Sequence, residues 1–196
     1  MTNSSYQSLI EKLDEFIRKY YKNKLLKGLI YSVALVLIFF VSLTVLEYFA
    51  HFSSVVRTIL FYSFIATTGF VFIKYIVIPL SKIYKLGTQL TYIEAANIIG
   101  KHFSDVQDKL LNVLQLQQTA TQQLASNSYQ LLEASVNQKT KELKPFPFTA
   151  AVDLSENKKF LKYVLFPVLL ITIILFVSPR IISDGTKRLV KHDAFF

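Results

Sequence analysis

The sequence predicts an all-α membrane protein: three transmembrane helices, an N-terminal amphipathic helix and a cytoplasmic helical domain. Three observations carry that prediction. Three stretches are long, apolar and uncharged; lysine and arginine gather at their edges; and the intervening chain repeats its apolar residues at helical spacing. With 52% apolar residues and a mean hydropathy of +0.38 over 196 residues, much of the chain is unlike ordinary globular sequence. A formal charge of +9 in a soluble protein would raise the question of nucleic acid. Here the cations border apolar runs, so membrane lipid with anionic headgroups is the simpler partner and no nucleic acid is expected. The chain has no cysteine, which excludes a disulfide scaffold, a zinc-thiolate site and a thiol nucleophile.

Residues 1–27 form the amphipathic helix. Tyr6, Leu9, Ile10, Leu13, Phe16, Ile17 and Tyr20 make one stripe, behind Ser4 and Gln7 at capping-box spacing. Its mixed-charge polar face (Glu11, Lys12, Asp14, Glu15, Arg18, Lys19) favours packing on the cytoplasmic domain over lying on the inner leaflet. Residues 28–46 are the first span: Gly28 to Leu46 carry no charge and, at about 1.5 Å per residue, match the roughly 30 Å hydrocarbon core. A cleavable signal peptide is the rival reading, but its apolar core is typically about 7 to 15 residues, so a retained anchor is expected. Residues 47–57 are a hairpin too short for a folded domain. Residues 58–80 are the second span, continuing past a snorkelling Lys74 to an expected end at Pro79.

Residues 81–162 are the cytoplasmic domain. After Gly87, the pair Thr91 and Glu94 opens a short helix through Ala95, Ala96, Ile98 and Ile99, interrupted at Gly100. Ser104 with Gln107 opens a second, striped by Val106, Leu110, Val113 and Leu114. Leu116 to Ser128 has few apolar anchors and reads either as an extension of that helix or as a mobile connection. Tyr129, Leu132, Val136 and Leu143 resume the helical spacing until Lys144-Pro145-Phe146-Pro147 enforces extended chain. The stripe of Val106, Leu110, Val113, Leu114, Tyr129, Leu132 and Val136 is expected to be core or to face a protein partner. So small a core needs support from the N-terminal helix, the membrane, a partner or a second copy.

Asp153 or Ser155 is expected to cap the last helix, which enters the third span at residues 163–178. That span carries Pro167 near its start and Pro179 as terminator. Residues 179–196 are a short basic tail ending in Ala194, Phe195 and Phe196, expected on the far side of the membrane and truncated.

Orientation follows from the cations. Arg18, Lys19, Lys22, Lys24 and Lys27 precede span one, Lys74, Lys82 and Lys85 end span two, and Lys158, Lys159 and Lys162 precede span three. The hairpin has Arg57 alone, so the positive-inside rule places the N-terminus in the cytoplasm. Arg180, Lys187, Arg188 and Lys191 in the tail oppose this, but first spans usually dominate orientation. Tyr48, Phe49, Phe52, Tyr75 and Tyr163 sit at run ends, as an interfacial belt would.

No catalytic, cofactor-binding or metal residue is expected. His51, His102 and His192 are scattered, and Asp105 and Asp108 beside His102 are better explained by a helix dipole and a solvated face. Glycine-rich phosphate loops and nucleophile elbows do not occur, so an enzyme is not expected and no small-molecule substrate is identifiable. Gly69 allows a close helix contact, but Ile65 and Ile73 four positions away supply no second small residue to support it. These features fit a multi-pass membrane anchor and scaffold whose cytoplasmic domain binds a protein partner or a second copy. The alternative is a subunit of a transporter or channel complex.

Five segments together resemble the N-terminal membrane region of a family of large Bacteroidota inner-membrane proteins of unknown function. They are IEKLDEFIRKYYKNKLLKG, LEYFAHFSSVVRTILFY, EAANIIGKHFSDVQDKLLNVLQL, LLEASVNQKTKELKPFPF and SPRIISDGTKRLVKHDAFF, and the likeness covers essentially the whole chain. The resemblance implies a bacterial inner membrane, a periplasmic C-terminal side and a large extracytoplasmic portion following this region. It implies no catalytic residue.

Overall fold

The computed structural model describes residues 4–122 and 129–193, the side chains of 120–133 excepted, and every regular element among them is helical. Three stretches, Ser5–Ala50, Ser54–Ile83 and Phe148–Val177, are long and apolar enough to cross a membrane. The chain divides into two compact units: Met1–Asn23 with Lys82–Asp153, and Lys24–Ser81 with Leu154–Phe196. The amphipathic segment and the first apolar run are one continuous helix, α1 (Ser4–Ala50), because no proline or glycine pair interrupts it.

In the first unit, Leu9, Leu13, Phe16, Ile17 and Tyr21 of α1 are buried against α4 (Tyr92–Gly100), α5 (Ser104–Gln122) and α6 (Tyr129–Leu143). The unit's polar ties also reach back to α1: Lys12 Nζ donates to the Lys144 carbonyl at 2.6 Å, and Lys19 Nζ to that of Thr149 at 2.8 Å. Asp14 accepts from Lys85 at 2.6 Å and from the Tyr92 hydroxyl at 3.1 Å. The polar face of α1, read from sequence as packing on this domain, thus supplies the lysines that hold the Lys144 and Thr149 carbonyls.

The Thr91 and Glu94 capping box forms in full, each side chain meeting the other's backbone N–H at 3.2 and 2.8 Å. Thr91→Ala is expected to cost about 1 kcal/mol. Hydrogen bonds from the Thr91 backbone and hydroxyl hold the Glu94 carboxyl below the usual carboxylate range. Its contribution is therefore present above the unfolded carboxylate value and is lost as pH falls through the lowered folded value. The protection of the Thr91 amide against exchange, relative to its intrinsic rate, should fall over that acidic window in the wild type and not in Glu94→Gln.

Four expectations need correction. Ser104 and Gln107 make no capping box: Ser104 is already helical, and Gln107 Nε2 donates to Asn97 Oδ1 at 3.1 Å, its side chain lying on Gly100 where a Cβ would collide. The N-cap positions fall on Phe160 for α7 and on Leu154 for the turn before it, not on Asp153 or Ser155. Leu154 stands at the head of a 3₁₀ turn, Ser155–Phe160, without a side-chain cap bond. Pro79 ends nothing. The chain runs α2 (Ser54–Phe72), a π-turn (Ile73–Val77) and α3 (Ile78–Ile83), so Pro79 is absorbed where the Ile78 N–H already bonds the Ile73 carbonyl. Pro167 lies inside α7 (Leu161–Val177) rather than near its start; α7 does end just ahead of Pro179, which also opens a further helix, α8 (Pro179–Val190), as its first residue. Ser178, at φ −155° and ψ 89°, breaks the chain between the two.

The Leu116 to Ser128 stretch is helical as far as Gln122. Residues 123–128 and the expected apolar end at Ala194, Phe195 and Phe196 lie outside the described residues.

Candidate functional site

The second unit is an up-down-up arrangement of α1 from Lys24, α2 through α3, and α7, with α8 returning over the hairpin. Rings order it along its length. At the end where α1 enters, Gly28 lies against the Tyr75 backbone. There too Tyr31 packs on Phe160 and Tyr163 at 5.4 and 5.8 Å between centroids. Midway, Phe64 of α2 meets Phe39 and Phe40 of α1. At the far end, Gly185 of α8 lies against the Thr44 carbonyl, and His192 packs on Phe61 at 4.8 Å with Nδ1 3.2 Å from the Thr58 hydroxyl.

Apolar side chains cover the outside of this unit. On α7, Leu165, Phe166 and Leu169 are more than half exposed, and Phe176 is 86% exposed. On α2, Ile59, Phe70 and Phe72 are likewise exposed. An apolar surface this continuous marks a membrane or protein contact, because in water it would drive association.

The entering end carries a collar of lysines and aromatic rings. Lys27 Nζ sits 4.3 Å from the Phe160 centroid, Lys74 is 5.7 Å from both Phe70 and Tyr75, and Lys162 is 5.4 Å from Tyr163. Phe160 and Tyr163 stack with their planes 18° apart. Lys24, Lys158 and Lys159 are exposed in the same unit, and Glu156, 3.8 Å from Lys159, is the acid within this stretch of chain. The remaining predicted interface cations fall in the first unit. Arg18 and Lys22 are exposed there, Lys19 holds the Thr149 carbonyl, Lys82 lies 5.7 Å from the Tyr21 ring, and Lys85 pairs with Asp14.

Of the predicted stripe, Val106, Leu110, Val113, Leu114 and Val136 are buried in the first unit's core. The side chains of Tyr129 and Leu132 lie outside the described residues. His102 is exposed with its ring against Phe103, and among the described residues no three acidic or histidine side chains are grouped to hold a metal ion.

Sequence reasoning missed the polar interior at the far end. Glu47 in the last turn of α1 and Arg57 in the first turn of α2 are buried, with Arg57 Nε 3.7 Å from Glu47 Oε1 and donating to the Phe52 carbonyl at 3.1 Å. Opposite charges flanking a short turn were the available signal. It missed α8 as well, although Ile181, Ile182, Gly185 and Leu189 fall on one face, away from Lys187 and Lys191. Comparisons of the chain with protein-family models, with curated proteins and with solved structures return no match.

Proposed function

We propose that this chain is a multi-pass anchor and scaffold of a bacterial inner membrane, with the second unit spanning the bilayer and the first unit cytoplasmic. The observation that carries the reading is the collar. Three antiparallel apolar helices, exposed to their surroundings along their length, place lysines and aromatic rings together at one end, the arrangement expected at a cytoplasmic headgroup layer. The chain passes between its units at Asn23–Lys24, Ser81–Lys82 and Asp153–Leu154, in the same stretches of sequence as Lys24, Lys82 and Lys158.

The domain itself offers an open groove of about 350 Å³ lined by Tyr6, Tyr92, Ile93, Leu114 and Gln117, suited to an apolar segment of a protein partner. In this reading the chain is the membrane region of a larger protein, of the kind its sequence resembles. A transporter or channel subunit has less support. The buried Glu47 and Arg57 pair lies at a helix end, where the two charges answer each other rather than line a path.

A chain without cysteine permits a direct test. Ser183→Cys on α8 should react with an impermeant maleimide applied to spheroplasts, and Ser104→Cys on α5 only after the membrane is opened. The reverse pattern, or equal labelling of both, overturns the orientation. Release of the chain by alkaline carbonate overturns the membrane reading itself.

A further inference from the structure

Resting on that membrane reading, we propose that the seam between α1 and α7 is a specific site for an anionic phospholipid headgroup, held by Lys27 and Lys162. The two cations are not independent surface charges. Lys27 stands on the face of Phe160 and Lys162 beside the ring of Tyr163, and those two rings are stacked at 6.3 Å. Cation–π contact orients an ammonium without neutralising it. The stack therefore ties both ammoniums to one ring cluster at the seam, where an anion is met by both. Among the described residues neither lysine pairs with a carboxylate, and Glu156 lies 3.8 Å from Lys159. Tyr31 closes the seam from α1 at 5.4 Å from Phe160, forming an amphipathic floor for the glycerol and first methylenes below the phosphate. A phosphodiester fits the cations, and the exposed leucines and phenylalanines of α7 below fit its acyl chains. The recognised chemistry is a monoanionic phosphate. Its lipid form is favoured because the site opens onto an apolar helix.

The test uses the full chain reconstituted into phosphatidylcholine vesicles containing a minority of phosphatidylglycerol, then extracted mildly, with retained lipids counted by mass spectrometry. Wild type should retain phosphatidylglycerol well above its share of the bilayer. Lys27→Gln with Lys162→Gln should lower that enrichment by about thirtyfold, given about 1 kcal/mol for each lysine at an anionic surface. Phe160→Leu, which leaves the charge and removes the ring that positions Lys27, should lower it by less, and Lys139→Gln with Lys141→Gln should not lower it. Equal retention by the Lys27 and Lys162 double variant and wild type overturns the site. Displacement of the lipid by inorganic phosphate at matched concentration also overturns it, since the seam would then be a soluble-anion site. If the wild type fails to float with the vesicles, the membrane reading fails together with this proposal. Normal flotation without enrichment removes the proposal and leaves that reading standing.

Discussion

Replacing Glu47 by alanine should destabilise the three-helix unit by about 3 to 5 kcal/mol, because it removes the carboxylate beside a buried guanidinium. Each charge of the pair is misplaced with respect to its own helix. Glu47 sits in the last turn of α1, the negative end of the dipole, and Arg57 in the first turn of α2, the positive end. Each placement costs up to about 1 kcal/mol, so neither charge is explained by local helix preference. What explains them is the turn. His51, at φ 50°, reverses the chain so tightly that Glu47 and Arg57 come within 3.7 Å, and both are buried in the second unit. SDS titration of the full chain in mixed micelles should show the loss in Glu47→Ala and in Arg57→Ala, and most of it regained in Glu47→Leu with Arg57→Met, where neither member of the pair remains without the other. Additive losses in the double variant would show that the two side chains do not act as a pair.

The second large effect belongs to glycines. Gly28→Val and Gly185→Val should each cost about 1 to 3 kcal/mol or more by overpacking. At Gly28 an added Cβ runs into the Tyr75 carbonyl oxygen, with the Tyr75 Cβ only 3.3 Å away; at Gly185 it meets the Thr44 carbonyl oxygen. Both obstacles are backbone, which cannot swing aside as a side chain can. The Gly28 contact has a further cause. Pro79 has no N–H to offer the Tyr75 carbonyl four residues earlier, and it is this carbonyl that lies against Gly28. Pro79→Ala should consequently loosen the dependence on glycine at position 28. Gly69, the glycine the spans suggest on sequence grounds, has open space around it, so Gly69→Ala should stabilise by about 0.5 to 1 kcal/mol. The same mixed-micelle titration separates the three outcomes, and a neutral Gly28→Val would contradict the close packing of α1 on the α2 to α3 stretch.

Much of the fold is legible because it depends on short windows. An uncharged apolar run has only the helix as a way to satisfy its backbone away from water, so three such runs become three helices of spanning length. Period 3.6 likewise marked the α5 stripe, and the spacing of Thr91 and Glu94 marked a real cap. Where local signals misled, a distant partner had intervened. Gln107 turned to Asn97 instead of its own helix start, and Pro79, a helix breaker by itself, was accommodated by one wider turn. The tail was misread for a related reason: its apolar face is short and meets its complement on α1, far away in sequence.

Composition and periodicity alone determined that this protein is helical, which stretches are apolar enough to enter a bilayer, and where the cations lie along the chain. These follow from the solvation of individual residues and need no knowledge of neighbours. Only the tertiary structure decided that Glu47 answers Arg57, that Gly28 and Gly185 are the contact glycines, that α8 folds back on the hairpin, and that Lys27 and Lys162 share one ring stack. Each of these depends on the meeting of two segments far apart in the chain or across a turn, and the energy that selects such a meeting resides in the pair.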